Sequence, residues 1–209
     1  MEEKKWEEKK EEEKNREFKE IKEFIKEFGS ESDRAAVILG AAKLDTSLYL
    51  LLTRALLPTA GNEDELFEGE APLSSFSSKI NLAYRLGLID SQFAHALHLI
   101  RKIRNSFAHE VSGCSLSSGG QRDRVRELIA PLEIFKQFGV ARKMFFEKDD
   151  PASDFRMALS VVLVRLETAM EGLQPIKEQV TQLIPPVWMD DEKEITPKLI
   201  DGKKMDVPS

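Results

Sequence analysis

The chain has 209 residues, 41% of them hydrophobic, with 31 Lys and Arg against 37 Asp and Glu for a formal net charge of −6. That length and apolar content suit one core with appendages, and the acidic balance excludes a protein that coats nucleic acid through many phosphate contacts. A single cysteine, Cys114, excludes an internal disulfide.

The chain opens on Glu and Lys with no apolar leader core, and no uninterrupted run reaches the roughly 20 apolar residues of a membrane span. A cytoplasmic protein with no membrane partner is expected. Residues 2–16 are almost wholly charged, and from Phe18 onward Ile21, Phe24, Ile25 and Phe28 recur at helical spacing until Gly29. Residues 1–29 thus read as a charged N-terminal helix whose aromatic end docks on the body. Ser30, Ser32 and Asp33 can cap a second helix, which runs without a breaker to Pro58. Its apolar residues nearly encircle it, so it is buried. Asp45, inside it, has only Ala41, Ala42, Leu48 and Tyr49 at three and four positions. A carboxylate without a local cation predicts an arginine from elsewhere in the fold, and Arg104 is the expected partner.

After Pro58 an acidic, Gly-containing connection follows, anchored by Leu66 and Phe67 and closed by Pro72. Ser74 or Ser75 caps a helix bearing Phe76, Ile80, Ala83, Tyr84 and Leu86, and Gly87 ends it. Asp90 or Ser91 caps the next helix, over residues 92–109, and the two form an antiparallel hairpin. Residues 110–120 are a flexible loop by composition. A helix is predicted over residues 121–138, with Val125, Leu128, Ile129, Leu132 and Phe135 inward and Pro131 as a kink. Gly139 marks a turn, and residues 141–146 form a short helix end or loop plug. Asp149-Asp150-Pro151 starts a helix striped by Phe155, Ala158, Leu159, Val162, Leu163, Leu166 and Met170, which Gly172 ends. Residues 174–183 suggest one more short helix. The prolines at 185, 186, 197 and 208 then indicate an extended tail. With no strand-like alternation and no repeat, the predicted fold is all-α. It is a single bundle of five to seven helices over residues 30–173, with residues 174–209 as short helix and tail.

No Gly-rich phosphate loop, Cys/His cluster, HExxH or GxSxG element is present, so neither a metal nor a cofactor is expected. Residues 100–109 concentrate what chemistry there is. On a helix, Phe93, Ala96, Ile100, Ile103 and Phe107 share one face, while His98, Arg101, Asn105 and His109 share another, with Arg104 between. An arginine can hold a phosphate and a histidine can shuttle protons at neutral pH. Arg104, Asn105 and His109 therefore form a candidate site for metal-free RNA cleavage by the 2′-hydroxyl. Arg104 and His109 lie five apart, about 140° around an ideal helix, so their convergence requires the helix to loosen near His109. In the structural alternative Arg104 pairs with Asp45 and His109 caps the helix C-terminus. His95 and His98 read as surface or packing residues, and Arg122, Arg124 and Arg126 as a solvated rim. From His98 to Arg126, six Lys or Arg face two acids, Glu110 and Asp123, an excess of +4 where an anion would dock. Arg101, Arg104, Asn105 and His109 are the candidate binding residues.

Several blocks resemble the mannitol operon repressor (MltR) family. They are residues 34–45 (RAAVILGAAKLD), Leu66-Phe67, residues 72–80 (PLSSFSSKI), residues 86–89 (LGLI) and residues 103–109 (IRNSFAH), in the family's order and covering roughly residues 30–170. The resemblance implies an all-helical regulator without a DNA-reading helix-turn-helix, working through protein partners and not as an enzyme. Arg104-Asn105-x-x-x-His109 is also similar to the signature of HEPN domains. These are helical bundles, often dimeric, many of them metal-independent ribonucleases. That resemblance implies Arg104 as phosphate ligand, His109 as general acid or base and Asn105 as their orienter. A homodimer is expected on either resemblance, with RNA or DNA as alternative partners.

Overall fold

Local capping chemistry sets where the helices begin. The side chain of Ser32 accepts from Ala35 N (3.2 Å), Ser75 from Ser78 N (3.0 Å), Asp90 from Phe93 N (2.7 Å) and Asp150 from Ser153 N (2.8 Å). Each satisfies one otherwise orphaned amide of a first turn. In the computed structural model the described residues are 29–59, 64–110, 113–146 and 148–177, together with Arg16, Lys19, Lys22, Glu23, Ile25 and Lys26. Among them are six helices: α1 (Asp33–Ala55), α2 (Phe76–Arg85), α3 (Ser91–His109), α4 (Gly119–Glu133), α5 (Lys136–Phe145) and α6 (Pro151–Ala169). No strand occurs among the described residues, so the fold is an all-α bundle.

The central helix is α1, which packs on α2, α3 and α6, while α4 fills the space between α3 and α6. Its buried positions include Ala36, Val37, Gly40, Ala41, Leu44, Leu48, Leu51 and Leu52. By length and composition alone α1 is long and apolar enough to cross a membrane. The sequence expectation that Asp45, Thr46, Ser47 and Thr53 leave the run too short for this does not hold for the helix as a whole. Half of its most apolar stretch is buried inside the protein against α2, α3 and α6, while Leu39 and Leu50 remain exposed. At Gly40 α1 packs directly against Leu159 of α6. A Cβ there would stand 2.3 Å from Leu159 Cδ2.

The α2–α3 hairpin is closed by Gly87, whose φ of 71° is the left-handed conformation glycine adopts without strain. Ile25 is buried in the core, as expected of the apolar end of the N-terminal segment; Phe18, Ile21, Phe24 and Phe28 lie outside the described residues. Phe67 packs edge-on against Tyr49, with ring centroids 5.1 Å apart, whereas Leu66 is exposed.

Three details depart from the sequence reading. The helix expected over residues 121–138 is two helices. Pro131 lacks an N–H and crowds the preceding turn, so α4 stops at Glu133, Phe135 turns extended (φ −97°, ψ 118°) and α5 restarts through Gly139. Phe135 is consequently 57% exposed instead of inward. The loop expected to be flexible is pinned by Leu116, which is fully buried. Residues 174–177 are not helical, because Ile176 N donates to Ala55 O (2.8 Å) and holds the segment against the end of α1; the rest of that expected helix and the tail lie outside the described residues.

Candidate functional site

Burial of Leu97, Ile100, Ile103 and Phe107 fixes the rotation of α3, so Arg101, Arg104 and Asn105 turn away from the core. They form one wall of a cavity of about 570 Å³. The second wall is α1, through Ile38, Ala41, Ala42, Asp45 and Thr46; the third is the first turn of α2 with the residues before it, Ser74 to Ser77. The sequence-predicted residues Arg101, Arg104, Asn105 and Asp45 are therefore brought to one cavity. His109 is the last residue of α3, is exposed and does not line it.

The expected Asp45–Arg104 ion pair does not form. Asp45 Oδ1 has Lys79 Nζ at 2.9 Å instead. The contact is a close approach of charges without hydrogen-bond alignment, since Asp45 Oδ1 is buried yet accepts no aligned bond. The physical reason is reach from a neighbour. Lys79 projects from the inner face of α2 with 8% of its side chain exposed, and its ammonium also approaches Ser74 O at 3.5 Å. Arg104, exposed at the cavity mouth, donates from Nη1 to Asn105 Oδ1 (3.2 Å). Neither Arg101 nor Arg104 has a carboxylate partner among the described residues, and Arg101 Nε is buried with no hydrogen-bond partner there.

The end of α3 is organised by a residue that sequence reasoning did not single out. Arg34, in the first turn of α1, donates from Nη1 to Phe107 O and from Nη2 to Glu110 O (2.6 Å), with its guanidinium 6.0 Å from the Phe107 ring centroid. It takes the role of cation at the helix C-terminus that His109 was expected to fill. His109 makes no hydrogen bond among the described residues. Only the position of Arg34 just after a helix cap hinted at it; nothing local could pair it with a carbonyl 73 positions away. The start of α1 is itself clamped. Arg156, buried on α6, donates to Glu31 O (2.8 Å), Asp33 Oδ1 (3.0 Å) and Ala152 O (3.0 Å).

The remaining histidines match their expected packing and surface roles. His95 Nε2 lies 2.8 Å from Glu127 at the surface. His98 Nε2 meets Asn81 Oδ1 at 3.1 Å while its Nδ1 is buried without a partner. Burial, and then the charges of Arg101, Lys102 and His95, lower the His98 pKa. Arg124 is not simply part of a rim, since it donates to Gln121 Oε1 (2.9 Å) and approaches Ser106 Oγ (3.5 Å), joining α4 to α3. No group of three potential metal-ligating side chains occurs among the described residues.

Fold and site together define an all-helical bundle with an arginine-lined cavity. No family model, curated protein or solved structure matches this chain.

Proposed function

We propose that the chain is a non-enzymatic cytoplasmic regulatory protein of the MltR type, a transcriptional repressor or related regulator that acts through protein contacts and as a homodimer. The observation that carries this reading is a set of exposed apolar side chains at the α4–α5 junction and along α5. Ile134 is 75%, Phe135 57%, Val140 61% and Met144 64% exposed. In α5 the inward position is Phe138, so Val140 and Met144, four apart, make an outward apolar face. Such a patch on a charged protein marks a contact surface. Beside it lies a groove lined by Phe93, Leu99, Pro131, Leu132 and Phe135, with Asp90 and Glu127 at its edge. Projecting apolar groups next to an apolar groove favour a second copy as occupant, because a two-fold axis lets each copy present the same patch to the other.

Light scattering on the eluting protein tests this. The wild type is expected as a dimer, and Phe135→Asp with Val140→Asp as a folded monomer. A monomeric wild type, or a dimer indifferent to both changes, overturns it. For the regulatory role, a pulldown should retain a specific protein partner; specific DNA binding without any such partner removes the partner-mediated version.

The competing reading is a HEPN-like metal-independent ribonuclease or RNA-binding module. It is favoured by the bonded Arg104–Asn105 pair at an open cavity and by the exposed His109 on the same helix. Its test is RNA cleavage in EDTA beside Arg104→Ala and His109→Ala. Cleavage that persists in His109→Ala, or no cleavage at all, rejects the enzyme.

A further inference from the structure

We infer that the cavity between α1, α2 and α3 binds the phosphate monoester of a small polar molecule, with Arg101 and Arg104 as its anion ligands. The charge balance of the walls is the first ground. Asp45 is matched by Lys79 at 2.9 Å, which leaves the two guanidinium groups in excess with no carboxylate partner among the described residues. In a chain of net charge −6, two arginines sharing a cavity without acids of their own are held there against the general excess of carboxylates. Arginine presents a planar fork of donors that matches the oxygens of phosphate, and Arg101 Nε is already desolvated and without an acceptor.

The opposite wall agrees in sign. Ser75 Oγ caps α2 by accepting from Ser78 N, and the first-turn amides of a helix gather at its positive end. An oxyanion between the arginines and this turn would meet donors from both sides. The volume of about 570 Å³ falls in the range of roughly 300–1,000 Å³ typical of small-molecule sites and exceeds what a bare oxyanion fills. Ile38 and Ala41 offer an apolar floor, and Thr46, Asn105 and the exposed part of Asp45 offer polar contacts to the rest of the molecule. This inference does not rest on the regulator reading: failure to bind leaves the dimer surface untouched, and a monomeric protein leaves the cavity intact.

The experiment is calorimetric titration of the full chain with inorganic phosphate, glycerol 3-phosphate and glucose 6-phosphate, beside unphosphorylated glycerol and glucose. Saturable binding of the phosphorylated molecules and none of the parent alcohols is expected. Arg101→Met and Arg104→Met should each weaken binding by about tenfold or more, at unchanged circular dichroism, while Arg85→Gln at the far end of α2 should not. Absence of saturable binding by all three phosphates overturns the inference, as does wild-type affinity in both cavity variants. A single-stranded RNA oligonucleotide is the last arm. If it binds through these arginines and phosphomonoesters do not displace it, the cavity is a nucleic-acid contact and the inference fails.

Discussion

Gly40→Ala is the substitution for which helix propensity and packing disagree most sharply. Alanine in place of glycine inside a helix stabilises by about 1 kcal/mol when nothing else changes. At this position the added Cβ would stand 2.3 Å from Leu159 Cδ2, 3.0 Å from Cδ1 and 3.1 Å from Cγ. Leu159 is fully buried, so its isobutyl group has no open space to rotate into. Overpacking of this kind costs about 1–3 kcal/mol, and the packing cost is the larger. The expected net result is a loss of up to about 2 kcal/mol, at about 2–4 °C of melting temperature per kcal/mol for a chain of this size. Thermal and urea denaturation followed by circular dichroism read this directly. Leu159→Ala alone should cost about 2–5 kcal/mol by leaving a cavity. In that background Gly40→Ala should be neutral or stabilising, a coupling of at least about 1 kcal/mol. If Gly40→Ala raises the melting temperature of the wild type, or if the two effects simply add, the close approach of α1 to α6 is not what sets the residue at 40.

Asp45→Ala should destabilise by about 2 kcal/mol, because it strands a buried ammonium whose other acceptor is Ser74 O at 3.5 Å. The double variant Asp45→Ala with Lys79→Met should recover most of that loss in the same denaturation assay, and no recovery would show that the pair is not the cause. For His98, burial and neighbouring cations lower the pKa from its ordinary 6.5, so the fold prefers the neutral ring. Its contribution is complete above pH 6.5 and is lost as pH falls through the lowered value, since the unfolded chain then binds the extra proton. Stability measured from pH 7.5 down to 5 should decline, and His98→Gln should flatten that decline; an unchanged slope would assign it to other groups.

Helix starts were legible because capping is a contact between residues three apart. Ser32, Ser75 and Asp90 stand where the sequence placed candidate caps, Asp150 stands at the helix start it placed before Pro151, and each accepts a first-turn amide. The rotation of α3 was legible too, from the spacing of Ile100, Ile103 and Phe107, and with it the shared outlook of Arg101 and Asn105 onto the cavity. Partners across the fold were not. The isolation of Asp45 on α1 correctly demanded a cation, but which helix supplies it depends on packing, and Lys79 from α2 arrives where Arg104 was expected. Leu116 escaped notice for a related reason: one apolar residue among serines and glycines has no periodicity, yet its burial is enough to pin the segment before α4.

The two clamps at the start of α1 bear on how freely the end of α3 can move. Arg156 on α6 grips Glu31 and Asp33, and Arg34, one residue on, grips the carbonyls of Phe107 and Glu110. Bringing His109 round toward Arg104 within one chain would mean unwinding a turn whose carbonyls are already taken, while Phe107, only 1% exposed, roots the same turn in the core. The end of α3 that carries the histidine is thus moored by Arg34, 73 positions upstream of Phe107. A change at Asp33 or Arg156 would slacken that mooring without touching either the arginines or the histidine.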